Sequence, residues 1–219
     1  MTIAMCCLTP EGVVLGADST TSVMVPQGGF HYLNFNQKLF QIGETGTLGA
    51  LTWGLAALGN LSHRTQFALL ADELAAKPAG SVMEVAERWT DRFWHEYSTR
   101  LSNEIQRCRD LHTKSKYDAS TPPTPAMRTE KEERDYIQLK LGLPVGFCIA
   151  GYYTTDRWPQ AFEILFDPLA AAPTPKPLPM GQAMCWGVPK IFGRLVSGID
   201  TDLKAEILKS EKWSGSEGT

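Results

Sequence analysis

The chain begins with two short apolar runs, Thr2-Ile3-Ala4-Met5-Cys6-Cys7-Leu8 and Val13-Val14-Leu15-Gly16-Ala17, separated by Thr9-Pro10-Glu11-Gly12. Apolar, β-prone segments on either side of a Pro/Gly turn predict a β-hairpin. Further strands are predicted over Phe30 to Phe35, over Lys38 to Ile42 and, beyond the Gly43-Glu44-Thr45-Gly46 turn, over Thr47 to Gly54. The period then changes. Phe67, Leu70 and Leu74 fall at helical spacing before Pro78-Ala79-Gly80 ends the segment. A second helix is announced by Ser81-Val82-Met83-Glu84, a capping-box pattern. It carries Val82, Val85, Ala86, Trp89, Phe93, Tyr97 and Leu101 on one face. Two helices in succession after a run of strands are what one layer of an αββα sandwich requires, so the expected class is α+β.

The second half repeats the strand pattern after an unusual stretch. Residues from about 108 to 140 combine Thr121-Pro122-Pro123-Thr124-Pro125 with the charged run Arg128 to Asp135. With so few apolar positions, this stretch is expected to be a mobile surface insertion or a helix extension; a partner-docking arm is the functional alternative. Strands are predicted over Pro144 to Tyr152 and Gln160 to Asp167. A proline-rich link over Pro168 to Pro179 leads to another strand over Met180 to Gly187. A helix bearing Ile191, Phe192, Leu195, Val196 and Ile199 on one face, and a short one from Asp202 to Lys209, precede a polar Gly/Ser-rich tail at about 210–219.

At 219 residues, with 43% hydrophobic and 21% charged positions, the chain is expected to form a single domain over 1–219. No apolar run reaches the length of a membrane span, and no basic segment followed by an apolar core opens the chain, so neither a span nor a secretory signal is expected. The five cysteines are an odd number set mostly in apolar runs. They read as reduced core residues of a cytoplasmic protein. No Cys/His spacing suits zinc and the four histidines are scattered, so no metal site is assigned. A net charge of −3 offers no electrostatic case for nucleic acid or an anionic membrane.

The chemistry is concentrated at the start. Loss of Met1 exposes Thr2, a small hydroxyl residue whose new α-amine titrates at about 7.7–8 and so accepts the hydroxyl proton near neutral pH. Nucleophile and base then belong to one residue. The hairpin carries Asp18 back beside Thr2. Lys38, just before the next strand, enters as a third member whose cation lowers the pKa of the nucleophile while the carboxylate holds the ammonium in place.

Thr2-Ile3-Ala4, Gly16-Ala17-Asp18-Ser19 and Lys38-Leu39-Phe40-Gln41-Ile42 together resemble proteasome β-subunits and bacterial proteasome-type proteases of the N-terminal-nucleophile (Ntn) hydrolase superfamily. The Ala150-Gly151-Tyr152 strand end and the following strand ending in Asp167-Pro168 are similar to the family's central hairpin. The resemblance implies a four-layer αββα sandwich and a threonine peptidase. In it Thr2 attacks an amide carbonyl, Lys38 and Asp18 tune the attack, and the backbone N–H of Gly54 holds the oxyanion. It also implies a peptide or protein substrate, a homo-oligomeric ring, an unfoldase partner and no cofactor. The sequence departs from the pattern in several places. The link from Asp18 to Lys38 is longer than usual, Trp53 stands where a small residue is expected, and Trp186-Gly187 replaces a turn with a supporting serine. The C-terminal elements of the family also have no counterpart, so the C-terminal part is expected to be truncated. The alternatives are a non-catalytic ring-forming or scaffold protein of the same fold and an Ntn amidase acting on small molecules.

Overall fold

Alternation decides which way the first strand faces. β1 (Ile3–Thr9) buries Ala4, Cys6 and Leu8 on one side and leaves Ile3, Met5 and Cys7 half-covered on the other, the period of two that a pleated strand imposes. The Pro10-Glu11 turn joins it to β2 (Gly12–Ala17), with Thr9 opposite Gly12 and Ala4 opposite Ala17. On its other edge β1 pairs antiparallel with β12 (Gln182–Gly187), from Leu8 opposite Gln182 to Ile3 opposite Gly187. The order of this sheet is β12-β1-β2, so the strand that follows Thr2 is held on both sides. The structure is a computed structural model and describes residues 2–24, 29–34, 36–44, 47–122, 124–153, 157–187, 194, 198–199 and 201–209.

A larger antiparallel sheet has the order β11-β10-β9-β6-β5. It is built from β5 (Leu39–Gln41), β6 (Leu48–Gly54), β9 (Val145–Gly151), β10 (Gln160–Phe166) and β11 (Lys176–Pro177). Every residue of β9 is buried, because this central strand is covered on both faces. One face meets the smaller sheet, where Leu51, Cys148, Ala150 and Ala161 pack on Ala4, Cys6 and Leu8. Trp53 of β6 stacks on Trp186 of β12 across this seam, with ring centroids 4.4 Å apart. Two short hairpins join the larger elements: β3 (Thr21–Met24) with β4 (Phe30–Leu33), and β7 (Ala57–Leu58) with β8 (Leu61–Ser62).

The opposite face of the larger sheet is covered by helices α1 (His63–Ala76) and α2 (Val82–Arg100). The apolar stripe of α2 is buried from Val82 to Tyr97. Trp89 lies parallel to Phe67 at 4.0 Å and edge-on to Phe147 at 4.9 Å. Ser81 Oγ accepts the Glu84 N–H at 3.1 Å, but the Glu84 carboxylate turns to the Gly80 N–H, so only half of the expected capping box forms.

Of the two expectations for the stretch at about 108–140, a mobile insertion or a helix extension, the helical one describes both of its ends. The stretch is occupied by α3 (Ser102–Thr113), a linking segment and α4 (Glu130–Gly142). The reason lies in how its charges are placed. Arg128 is buried, donating from Nη1 to the carbonyls of Leu111 and Lys114 and from Nε to Glu133 at 2.6 Å, with its guanidinium 4.3 Å from the Tyr136 ring centre. Lys114 pairs with Glu132, which also completes a capping box with Thr129, and Arg107 pairs with Asp135. Ile105, Cys108, Leu111 and Tyr136 extend the aromatic core.

The architecture is therefore α+β, with antiparallel sheets and, among the described residues, five helices, the last being α5 (Thr201–Lys209). The predicted helix through Ile191, Phe192, Leu195 and Val196 and the tail at 210–219 lie outside the described residues. Among the described residues no helix is long and apolar enough to cross a membrane.

Candidate active site

The first hairpin ends in a pair of crossed hydrogen bonds. Asp18 N–H donates to the Ile3 carbonyl at 3.0 Å, and Asp18 Oδ1 accepts the Ile3 N–H at 2.8 Å. The carboxylate is thus fixed against the peptide unit immediately after Thr2. Lys38 approaches from the larger sheet. Its carbonyl accepts the Thr52 N–H at 3.0 Å, and its Nζ donates to Asp18 Oδ1 at 2.7 Å and to the Thr20 carbonyl. Thr20 N–H adds a bond to Asp18 Oδ2 at 3.2 Å. Partial burial works against a charged Asp18, but the hydrogen bonds from Lys38 and the Ile3 N–H outweigh it and hold its carboxyl below the usual range.

Thr2, Lys38 and Gly54 line one cavity of about 290 Å³, while Asp18 stands behind Lys38 rather than in the cavity wall. Gly54 has a φ of +87°, and a Cβ there would lie 2.3 Å from the Pro144 carbonyl oxygen. Close packing against β9 therefore demands glycine at this point, whatever its N–H does. Trp53 finds room by lying over Gly146, where a Cβ would fall 2.1 Å from the indole. Gly187 closes the far side of Thr2, with a φ of +85° and space for a Cβ only 1.9 Å from the Thr2 carbonyl oxygen. A Gly187→Ala variant is expected to displace the start of β1 and to lose about 1–3 kcal/mol of stability, read from its urea midpoint, with NMR shift changes concentrated at Ile3 and Asp18.

Part of the remaining wall comes from the start of α1, to which the sequence pattern assigns no chemistry. Ser62, His63 and Arg64, at the entrance to α1, all line the cavity. Ser62 is the N-cap, its Oγ accepting the Thr65 N–H at 3.1 Å. That cap, just after the Gly59-Asn60 turn, was the available signal. His63 is 4% exposed; burial lowers its pKa and outweighs its bond to Leu55, so the ring is neutral. Its Nε2 lies 2.8 Å from the Leu55 carbonyl, which can only accept, so Nε2 carries the proton and Nδ1 is left without a protein partner. Among the described residues no cluster of three His, Cys, Asp or Glu side chains is placed to hold a metal.

The comparison with solved structures bears on the fold alone. One solved structure of similar fold is a mutant of Anbu from Hyphomicrobium sp. strain MC1, similar over 91% of this chain with a TM-score of 0.51 and 14% identity. This chain spans 65% of the length of that one. No family model matches the chain, and no curated protein matches it. Assignment to the proteasome β-subunits and bacterial proteasome-type proteases is thereby corrected, because the likeness found is to Anbu and at this identity it extends to the fold alone. The stretches that suggested the assignment are short. The β3–β4 hairpin between Asp18 and Lys38 and the α3–α4 pair separate them.

Proposed function

We propose that the chain is an N-terminal threonine hydrolase that cleaves amide bonds after removal of Met1. The observation that carries this reading is the Lys38–Asp18 ion pair, fixed to the Ile3 N–H directly after Thr2, with Lys38 and Thr2 in the wall of one cavity. In this reading the α-amine takes the proton from Thr2 Oγ as it attacks the substrate carbonyl. The Lys38 ammonium favours the developing alkoxide, and Asp18 keeps that ammonium in place. The N–H of Gly54 stabilises the oxyanion. The leaving amine collects the proton and water then hydrolyses the acyl-threonine.

The substrate is proposed to be a peptide, and the chain to work as a homo-oligomer. Ile137 and Leu141, one turn apart on α4, are 47% and 75% exposed and offer apolar surface to a second copy. The four-layer sandwich and the single domain over 1–219 belong to the same proposal. Their support is the outer face of the smaller sheet, where Ile3, Met5, Cys7, Val14 and Cys185 form an apolar strip that a further layer would cover. One observation favours a non-catalytic protein of this fold instead. Gly187 packs on Thr2 where a supporting hydroxyl was expected.

Mass spectrometry with a peptide epoxyketone separates the two, since that electrophile needs both the hydroxyl and the free amine of one N-terminal residue. The expected result is a chain lacking methionine with one adduct on Thr2, absent from Thr2→Ala. A chain that keeps Met1, or a processed chain that forms no adduct, overturns the hydrolase reading.

A further inference from the structure

The charges around the candidate site are unequally matched. Lys38 is neutralised by Asp18, but Arg64, in the same cavity wall, is exposed and has no ion-pair partner among the described residues. Among the described residues no Asp or Glu side chain lines the cavity, and the first turn of α1, in which Arg64 sits, contains no acidic residue. The positive end of that helix therefore reinforces the guanidinium. Buried His63 beside it adds a neutral ring with an unpartnered Nδ1.

A second cavity of about 770 Å³ lies between α1 and the β5–β6 end, and Gln37, Phe40 and Arg64 line both. Its wall includes Ile42, Leu48, Phe67 and Tyr153. Glu44 and Asp72 line only this larger space, and neither pairs with Arg64. An arginine at the junction of a small acid-free cavity and a larger apolar one recognises a carboxylate with an apolar group next to it.

We infer that Arg64 is a specificity-determining residue and that the site takes peptides with an acidic side chain at the residue facing Thr2 and apolar side chains beside it. The substrate class rests on the hydrolase reading, whereas the binding preference can be measured without chemistry. The Thr2→Ala chain is titrated calorimetrically with two N-acetylated tripeptide amides, Leu-Leu-Glu and its uncharged isostere Leu-Leu-Gln. The expected result is about tenfold tighter binding of the glutamate peptide, weakening with added salt. Arg64→Gln should abolish the difference, and Arg64→Glu should turn the preference toward Leu-Leu-Lys. Because Arg64 is exposed, both variants are expected to fold, and a circular dichroism melt checks this. Equal affinities in the parent, a preference that survives Arg64→Gln, or no binding of any of these peptides overturns the inference. If the acidic preference holds while the epoxyketone leaves Thr2 untouched, the carboxylate-recognising cavity stands and hydrolysis falls.

Discussion

Asp18→Asn is expected to cost about 3 kcal/mol of stability, because it leaves the ammonium of Lys38, only 7% exposed, without a counter-charge. The asparagine side chain still accepts the Ile3 N–H, so the loss reports the ion pair rather than the hairpin. Urea unfolding at neutral pH measures it. The pH dependence follows from the direction of the Asp18 shift. A carboxyl held below its unfolded value contributes fully above about pH 4, and that contribution disappears as the pH falls through the lower folded value. Parent and variant should therefore converge in acid. In the hydrolase reading Asp18→Asn also slows the epoxyketone reaction at Thr2, since the ammonium no longer has a fixed position.

Trp89→Ala should be still more damaging, at about 4 kcal/mol, since it empties the site between Phe67, Phe93 and Phe147 where nothing is free to collapse inward. Trp89→Phe is expected to be far milder. The indole N–H has no hydrogen-bond partner in this core. Removing an unpaired buried donor recovers about 1–3 kcal/mol, which offsets much of the lost contact. Thermal unfolding of the two variants side by side should give a large drop for alanine and a small one for phenylalanine. Equal drops would mean that the indole N–H is paired after all.

The features legible in the sequence are those written in neighbouring residues. The first hairpin, the stripe of α2 and the Ser81 cap follow from spacings of two, three and four positions, and they carry Asp18 to Ile3 without any distant information. For the α3–α4 segment the sequence left a mobile insertion and a helix extension both open, because composition counts charges but not their pairing. Arg128, Glu132 and Glu133 look like solvated surface in a string of letters, yet in the fold they bond to Leu111, Lys114 and Tyr117. Gly146 carried no signal, since its partner Trp53 is brought near only by strand pairing, and Gly187 stood out as a departure from the family turn but not as a close contact of Thr2. Arg64 was invisible for a similar reason. Its significance lies in the carboxylates missing from around it.

Thr2 is gripped on one side by β12, whose Gly187 leaves the ribosome long after Thr2 itself. Asp18 and Lys38 emerge early, but the far wall around Thr2 waits until β12 has been made. In the hydrolase reading, Met1 is trimmed from a loose end, before that end acquires its final shape. In the hydrolase reading, a chain released before β12 is made carries Thr2 without the strand that orients it.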